Sequence, residues 1–302
     1  MPGEFGNTDV PKKVIQATDI VYQASTLKGV VANTIPTEQI SDMTFKFDVV
    51  KGVIGESHVQ VDADIELKNL SYTQLKKELE WSKYQFMVTD GSKLYSRETK
   101  RAWNDSVRSA TEYFAAIKDY EVITALSAGA ASSAASSGGN WDTSTAEIED
   151  DIIAGLQYIG ANSNMQDKDI MSTLVPADVY YELRKLDLIG NVQQQLRDYL
   201  QRSFEVNIRP FRPYYDEDDT AQLDALEDDC VMYVNGRQTA RHAQYSKAAA
   251  AANNLPLTEK WRIPNRGDAY YMRFASGCRV VWDARNATNT ITNRIYKITD
   301  VT

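Results

Sequence analysis

The chain has 302 residues, 43% of them hydrophobic and 25% charged, the composition of a folded, soluble protein with apolar material for one large domain or two modest ones. Its formal net charge is -9; the cations are scattered (Lys76-Lys77, Lys100-Arg101, Arg209, Arg212), so no basic stripe of the kind that grips nucleic acid is present. No apolar run reaches the ~18 residues that a membrane-spanning helix requires.

Residues 1–13 are polar and carry Pro2, Gly3, Gly6 and Pro11, which reads as an extended arm. From Val14 to Val31 apolar residues recur at roughly helical spacing and predict a short amphipathic helix. The pattern then changes. Met43, Phe45, Phe47 and Val49 alternate with polar residues, and so do Val59, Val61, Ala63, Ile65 and Leu67. The two runs flank Lys51-Gly52-Val53-Ile54-Gly55-Glu56 and predict a long β-hairpin. Each strand has one apolar face, to be covered either by an ordinary internal sheet or by a neighbouring subunit. Tyr84 to Thr89 reads as a further strand.

Ser96 reads as an N-cap. Arg97 to Leu126 contains neither Pro nor Gly, and Ala102, Trp103, Val107, Ala110, Phe114 and Ile117 form one stripe. At 1.5 Å per residue such a helix is ~45 Å long, which suits a spine laid across a sheet. The small-residue run from Leu126 to Gly139 reads as a flexible connection and the best internal boundary. A helix follows from Ser144 to Ile159, with Ser144 and Glu147 at capping-box spacing. Asp169 to Pro176 predicts a short buried strand and Ala177 to Leu188 a helix. Phe204 to Phe211 and Cys230 to Val234 predict strands, the latter closed by an Asn235-Gly236 turn. The last 45 residues are strand-like, with Tyr270 to Trp282 the strongest apolar run. No internal repeat is visible.

The parts of common catalytic designs are scarce. There are 2 histidines, His58 and His242, and 2 cysteines, Cys230 and Cys278. No nucleophile–base arrangement forms around either histidine, and no phosphate loop, dinucleotide fingerprint or zinc-protease motif occurs. The cysteines lie outside any Cys-x-x-Cys pair and read as reduced, buried thiols. Met1-Pro-Gly-Glu-Phe has no apolar signal region, so synthesis and assembly in a cytoplasm are expected. The acidic run Asp216-Glu-Asp-Asp219 fails as a helix–loop–helix calcium site, because its sixth position is Ala221, not glycine. No catalytic, cofactor or metal residue is predicted.

The order of these parts resembles the HK-97-like major capsid proteins of tailed viruses, a fold shared with encapsulin nanocompartments. Two pieces carry the likeness. Asp119-Tyr-Glu-Val-Ile-Thr-Ala-Leu-Ser-Ala-Gly-Ala130 is similar to the exit of the family's spine helix. Ile170-Met-Ser-Thr-Leu-Val-Pro-Ala-Asp-Val-Tyr-Tyr-Glu-Leu183 is similar to the strand, proline turn and helix of its axial domain.

The resemblance implies an α+β fold with an N-terminal arm and helix (1–35), an E-loop hairpin and the start of a peripheral domain (36–90), a spine helix (91–138), an axial domain (139–250) and terminal strands completing the peripheral domain (251–302). The capsomer-centre loop would fall near residues 186 to 200. Phe45, Phe47, Val49, Val59, Val61, Ile65, Leu67, Leu188 and Ile189 are the implied assembly contacts. The implied role is structural: self-assembly into pentamers and hexamers of an icosahedral shell around double-stranded DNA. Portal and separate scaffold or decoration proteins would be partners, with no cofactor and no membrane. The alternatives are an encapsulin-type shell and, from another class, an acid-dependent hydrolase or sugar-binding α/β protein. A covalent Lys–Asn cross-link is not expected, because the aligned position falls near Ala269.

Overall fold

A computed structural model describes residues 12–51, 71–89, 96–143, 146–163, 169–184, 186–189, 192–215, 221–255, 257–264, 266–282 and 290–302. In chain order the described elements are α1 (Lys12–Leu27), β1 (Thr37–Ile40), β2 (Thr44–Lys51), β3 (Ser71–Glu78), β4 (Glu80–Thr89), α2 (Ser96–Ala128), β5 (Ala130–Ala135), α3 (Ile148–Asn162), β6 (Met171–Pro176), α4 (Ala177–Glu182), β7 (Leu186–Ile189), β8 (Val192–Gln195), α5 (Leu196–Phe204) and β9 (Val206–Phe211). They continue with β10 (Tyr214–Tyr215), β11 (Ala221–Leu223), β12 (Cys230–Val234), β13 (Ala240–Tyr245), α6 (Lys247–Ala252), β14 (Thr258–Ile263), β15 (Gly267–Val280) and β16 (Thr292–Thr299). The fold is α+β, as expected.

Two five-stranded sheets form the body. The first is built on β15. One edge of β15 pairs with β4 from Gly267 to Ser276; the other pairs with β14 from Gly267 to Met272 and with β13 from Ser276 to Val280. β14 and β13 therefore lie end to end, and β1 adds in parallel outside β13. Alternation along β15 divides its side chains. Tyr270, Met272 and Phe274 meet Trp103, Ala110, Phe114 and Ile117 of α2, with Ala17, Val21 and Tyr22 of α1 in the same core. Large side chains fully buried in this way each stabilise by about 1.5–3 kcal/mol.

The second sheet has the order β5-β16-β12-β6-β9. β6 and β9 are parallel, joined by α4, the β7–β8 hairpin and α5. One face packs Met171, Val175, Met232 and Ile298 against Ile152 and Ile159 of α3 and Leu200 of α5. Gly155 lets α3 lie close, since a Cβ there would stand 2.5 Å from Met232 Sδ. The other face turns Leu174, Val231, Tyr233 and Ile295 towards Val122, Ile123 and Leu126. The 33-residue α2, about 50 Å long, thus serves the first core with its middle turns and a second core with its C-terminal end.

Three expectations are corrected. The run Leu126 to Gly139 is not a flexible connection: its residues 130–135 form β5, paired in parallel with β16. Small side chains bury little, but the backbone ladder is indifferent to side-chain size, and β16 offers an edge. The helix beginning at Ala177 ends at Glu182, and residues 186–189 form β7. Ile189 pairs with Val192, and Gly190-Asn191 between them is a two-residue hairpin signal that outweighs helical spacing. Finally, β2 pairs residue by residue with β3, from Thr44↔Glu78 to Lys51↔Ser71, so its described partner is residues 71–78; the expected partner, residues 59–67, lies outside the described residues. Of the late elements, β13 lies in the first sheet and β16 inside the second.

Gly267 joins β14 to β15 with φ +154°, and a Cβ there would stand 2.2 Å from the Val88 carbonyl oxygen. Gly267→Ala is expected to cost about 3 kcal/mol, measured by denaturant unfolding of the free subunit. A variant as stable as the parent would contradict this close approach of β4 to the turn.

Candidate assembly surfaces

The arm is rooted in its own subunit. Phe45 and Phe47 of β2 are 4% and 7% exposed. With Leu75 and Leu79 they pack on Ala243, Tyr245, Ala250, Ala275 and Trp282, and Val49 lies against the same cluster. The Arg241 guanidinium sits 4.9 Å from the centroid of the Phe47 ring. Phe45, Phe47 and Val49, expected as assembly contacts, thus lie against the chain's own first sheet. Alternation said that one face must be covered; it did not say by which chain, and the chain's own first sheet covers it. The close approach leaves a mark at Gly277, where a Cβ would meet the Glu78 carbonyl oxygen and the Lys77 side chain at 3.3 Å.

Val59, Val61, Ile65 and Leu67 lie outside the described residues. Leu188 and Ile189 fall on β7, at the end of the β7–β8 hairpin that extends from the second sheet. The expected capsomer-centre loop is thus a strand pair followed by α5.

The structure adds surface residues that sequence reasoning missed. Trp81 and Met87 of β4 are each 41% exposed, on the face of the first sheet away from α2. Beside them Lys83 lies 3.4 Å from the Tyr271 ring centroid and Arg273 lies 5.4 Å from that of Trp81. Arg273 also pairs with Glu259 at 2.9 Å. The signal was present in Trp81-Ser-Lys-Tyr-Gln-Phe-Met-Val88: both parities carry large apolar side chains, so both faces of the strand attract cover. Tyr72, on the outer face of the arm, is 62% exposed.

Where α1 gives way to β1, the chain is pinned to the spine helix. Asp119 is buried, and its carboxylate accepts from the N–H groups of Val30 (2.9 Å) and Val31 (3.1 Å). Gly29, at φ +108°, brings the backbone close: a Cβ there would stand 2.6 Å from Asp119 Oδ1. Arg209 of β9 donates to the Val30 carbonyl at 2.9 Å, and Thr34 Oγ1 lies 2.7 Å from the buried Tyr233 hydroxyl. Burial raises the Asp119 pKa above its ordinary 3.8; the Val30 and Val31 amides and Lys118 oppose the shift. Burial likewise lowers Lys118, against the pull of Asp119.

His242 is buried, with its ring nitrogens 3.1 Å from Thr37 Oγ1 and 3.1 Å from Glu121 Oε2. Ser276 Oγ donates to Glu121 Oε1 at 2.9 Å. Serine, carboxylate and imidazole are present, but in the wrong order for nucleophilic catalysis. The carboxylate stands in the middle and takes the serine proton, so the imidazole is not placed to activate the hydroxyl. The thiol of Cys278, nearby, is pushed well up by burial, as is that of Cys230. Both cysteines are free and buried. No group of three or more metal-ligating side chains is found among the described residues.

No family model matches the chain, and no curated protein matches its sequence. Solved structures do. A virus-like particle from Pyrococcus furiosus matches with a TM-score of 0.58 at 14% identity, covering 95% of this chain and 100% of that one. The fold is the HK-97-like capsid fold. The capsid of an empty GTA particle superimposes with a TM-score of 0.59 at 10% identity, over 90% of this chain and 89% of that one. The structure titled Mycobacterium phage Che8 does so with 0.55 at 13%, over 90% and 91%. The long α2 occupies the stretch expected for the spine helix.

Asp119 supplies the test of the pinned linker. Asp119→Ala leaves the two buried amides without an acceptor, an expected cost of about 2–4 kcal/mol. Asp119→Asn keeps an acceptor for only one of the two amides and turns its NH2 onto the other, an expected cost of about 1–3 kcal/mol at neutral pH. Because the folded-state pKa is raised, the native state binds the proton more tightly than the unfolded chain. The wild type should therefore gain stability from Asp119 as pH falls towards 3.8, and lose that gain as pH rises through the raised value. Equilibrium unfolding at a series of pH values should show this slope in the wild type and its absence in Asp119→Asn.

Proposed function

We propose that this chain is a major capsid protein, the repeating subunit of an icosahedral shell that encloses the double-stranded DNA of a tailed virus. The observation that carries the reading is the extent of the structural match. Subunits of phage-type capsids and of a virus-like particle superimpose over about nine-tenths or more of both chains. The likeness is of whole architecture, which is what a shell subunit is selected for.

In this reading the chemistry is assembly and not catalysis. The arm root is a rigid bracket, fixed by Phe45, Phe47, Leu75 and Leu79, and it carries residues 52–70 to a neighbour. Val59, Val61, Ile65 and Leu67 supply the apolar side of that contact, and the surface around Trp81 and Met87 supplies a receiving face. Leu188 and Ile189 on the β7–β8 hairpin meet their counterparts around the capsomer axis, in the rotational arrangement of closed rings. Pentamers and hexamers then tile the shell. The acidic chain would leave packaged DNA free of the wall. Portal and separate scaffold or decoration proteins complete the partners; the protein resides in the virion and is assembled in the host cytoplasm. Among the described residues, no helix is long and apolar enough to cross a membrane.

A second reading, a container without a viral genome, draws on the virus-like particle matched over its whole length. Portal and terminase genes beside this one favour the virus; a gene for a cargo enzyme favours the container.

Electron microscopy of the purified protein is expected to show shells or capsomers, and a 34.0 kDa monomer at high concentration would sink the proposal. Replacing residues 52–70 by a two-residue turn keeps β2–β3 and should leave a folded subunit that no longer closes shells. Leu188→Asp with Ile189→Asp should block ring formation by more than tenfold in assembly yield, read by size-exclusion chromatography with unchanged circular dichroism.

A further inference from the structure

A small polar cavity lies between α1, the spine helix and the first sheet. Ser25, Phe114, Ile117, Lys118, His242, Gln244, Phe274 and Ser276 line it. Its volume is about 10 Å³ of room for a water's centre, enough for about one molecule. Gln244 is 5% exposed, and its Oε1 has no hydrogen-bond partner among the described residues. A buried amide oxygen left in that state is costly, and native cores satisfy such groups with protein or ordered water.

We propose that this cavity is a binding site for one structural water, held by Gln244, Lys118 and one of the two serines, Ser25 or Ser276. The bonding capacities fit. Ser25 Oγ gives its proton to the Tyr22 carbonyl and Ser276 Oγ gives its proton to Glu121, so each keeps lone pairs for a further donor. Gln244 Oε1 is an acceptor, and the Lys118 ammonium is a donor. His242 has both ring nitrogens within hydrogen-bond distance of Thr37 and Glu121 and contributes only a wall. A water can donate to Gln244 Oε1 and to one serine while accepting from Lys118, within the two to four bonds that buried waters make. Its three partners come from α2, β13 and either α1 or β15. The water therefore joins the N-terminal helix and the spine to the sheet at a place where apolar packing alone would strand an amide.

An experimental map of the assembled particle, at a resolution that shows ordered water, is expected to place a peak within hydrogen-bond distance of Gln244 Oε1. An empty cavity in a map showing waters elsewhere in the subunit would overturn the proposal, as would a Gln244 amide turned onto a protein donor. Gln244→Met, of similar length but without the acceptor, separates the two cases by sign. If the water is bound, its remaining partners lose it and the Tm falls by about 3 °C or more. If the amide oxygen is unsatisfied, removing it raises the Tm, and the proposal fails. Should Gln244→Met not fold, the wild-type map decides alone.

Discussion

The architecture turns on one buried carboxylate. Asp119 lies in the spine helix between the stretch serving the first core and the stretch serving the second. It binds the two backbone amides that lead from α1 into the first sheet. An ionised group so placed is unfavourable in isolation, because desolvation opposes its charge. The two amides offset part of that cost, and only a glycine at 29 permits their approach. From this point the linker reaches Arg209 in the second sheet and Tyr233 at its centre. Helix, linker and both sheets are thus fixed relative to one another by polar contacts, while apolar burial supplies the bulk of the stability.

A division of labour follows. Several buried polar groups satisfy one another: His242, Glu121, Ser276 and Thr37 bond together, and Asp151 takes the Ser137 amide and the Trp141 indole. Polar side chains that might elsewhere do chemistry are spent on position. Among the charged groups of the surface stand large apolar or aromatic side chains: Ile20, Tyr72, Trp81, Met87, Ile170 and Tyr181. In a subunit whose proposed role is to be tiled, this is where interactions with copies of itself belong.

Much of the fold was legible in the sequence where periodicity and length agreed. The spine helix was readable from its unbroken stripe, and Cys230 to Val234 from its apolar run; both appear within two or three residues of expectation. Other parts were illegible for physical reasons. β5 consists of Ala and Ser, and its strand character comes from the edge of β16, which is distant in sequence. The arm's apolar face was correctly read as needing cover, but cover by Trp282 and Tyr245 is a tertiary fact that alternation does not encode. The β7–β8 hairpin lies where helical spacing predicts a helix to Leu188; the Gly190-Asn191 dipeptide just beyond is the signal that points the other way. His242 looked idle in the sequence because its partners, Thr37 and Glu121, lie more than a hundred residues away.

The position of β16 bears on how such a subunit is made. It is paired on both sides, with β5 and with β12, so the second sheet is split until residues 292–299 arrive. A ribosome must translate past Thr299 before Ile295 and Ile298 can fill their places in two separate cores. Until those residues are in place β5 stands apart from β12, and the two cores each lack a wall that no other strand supplies among the described residues.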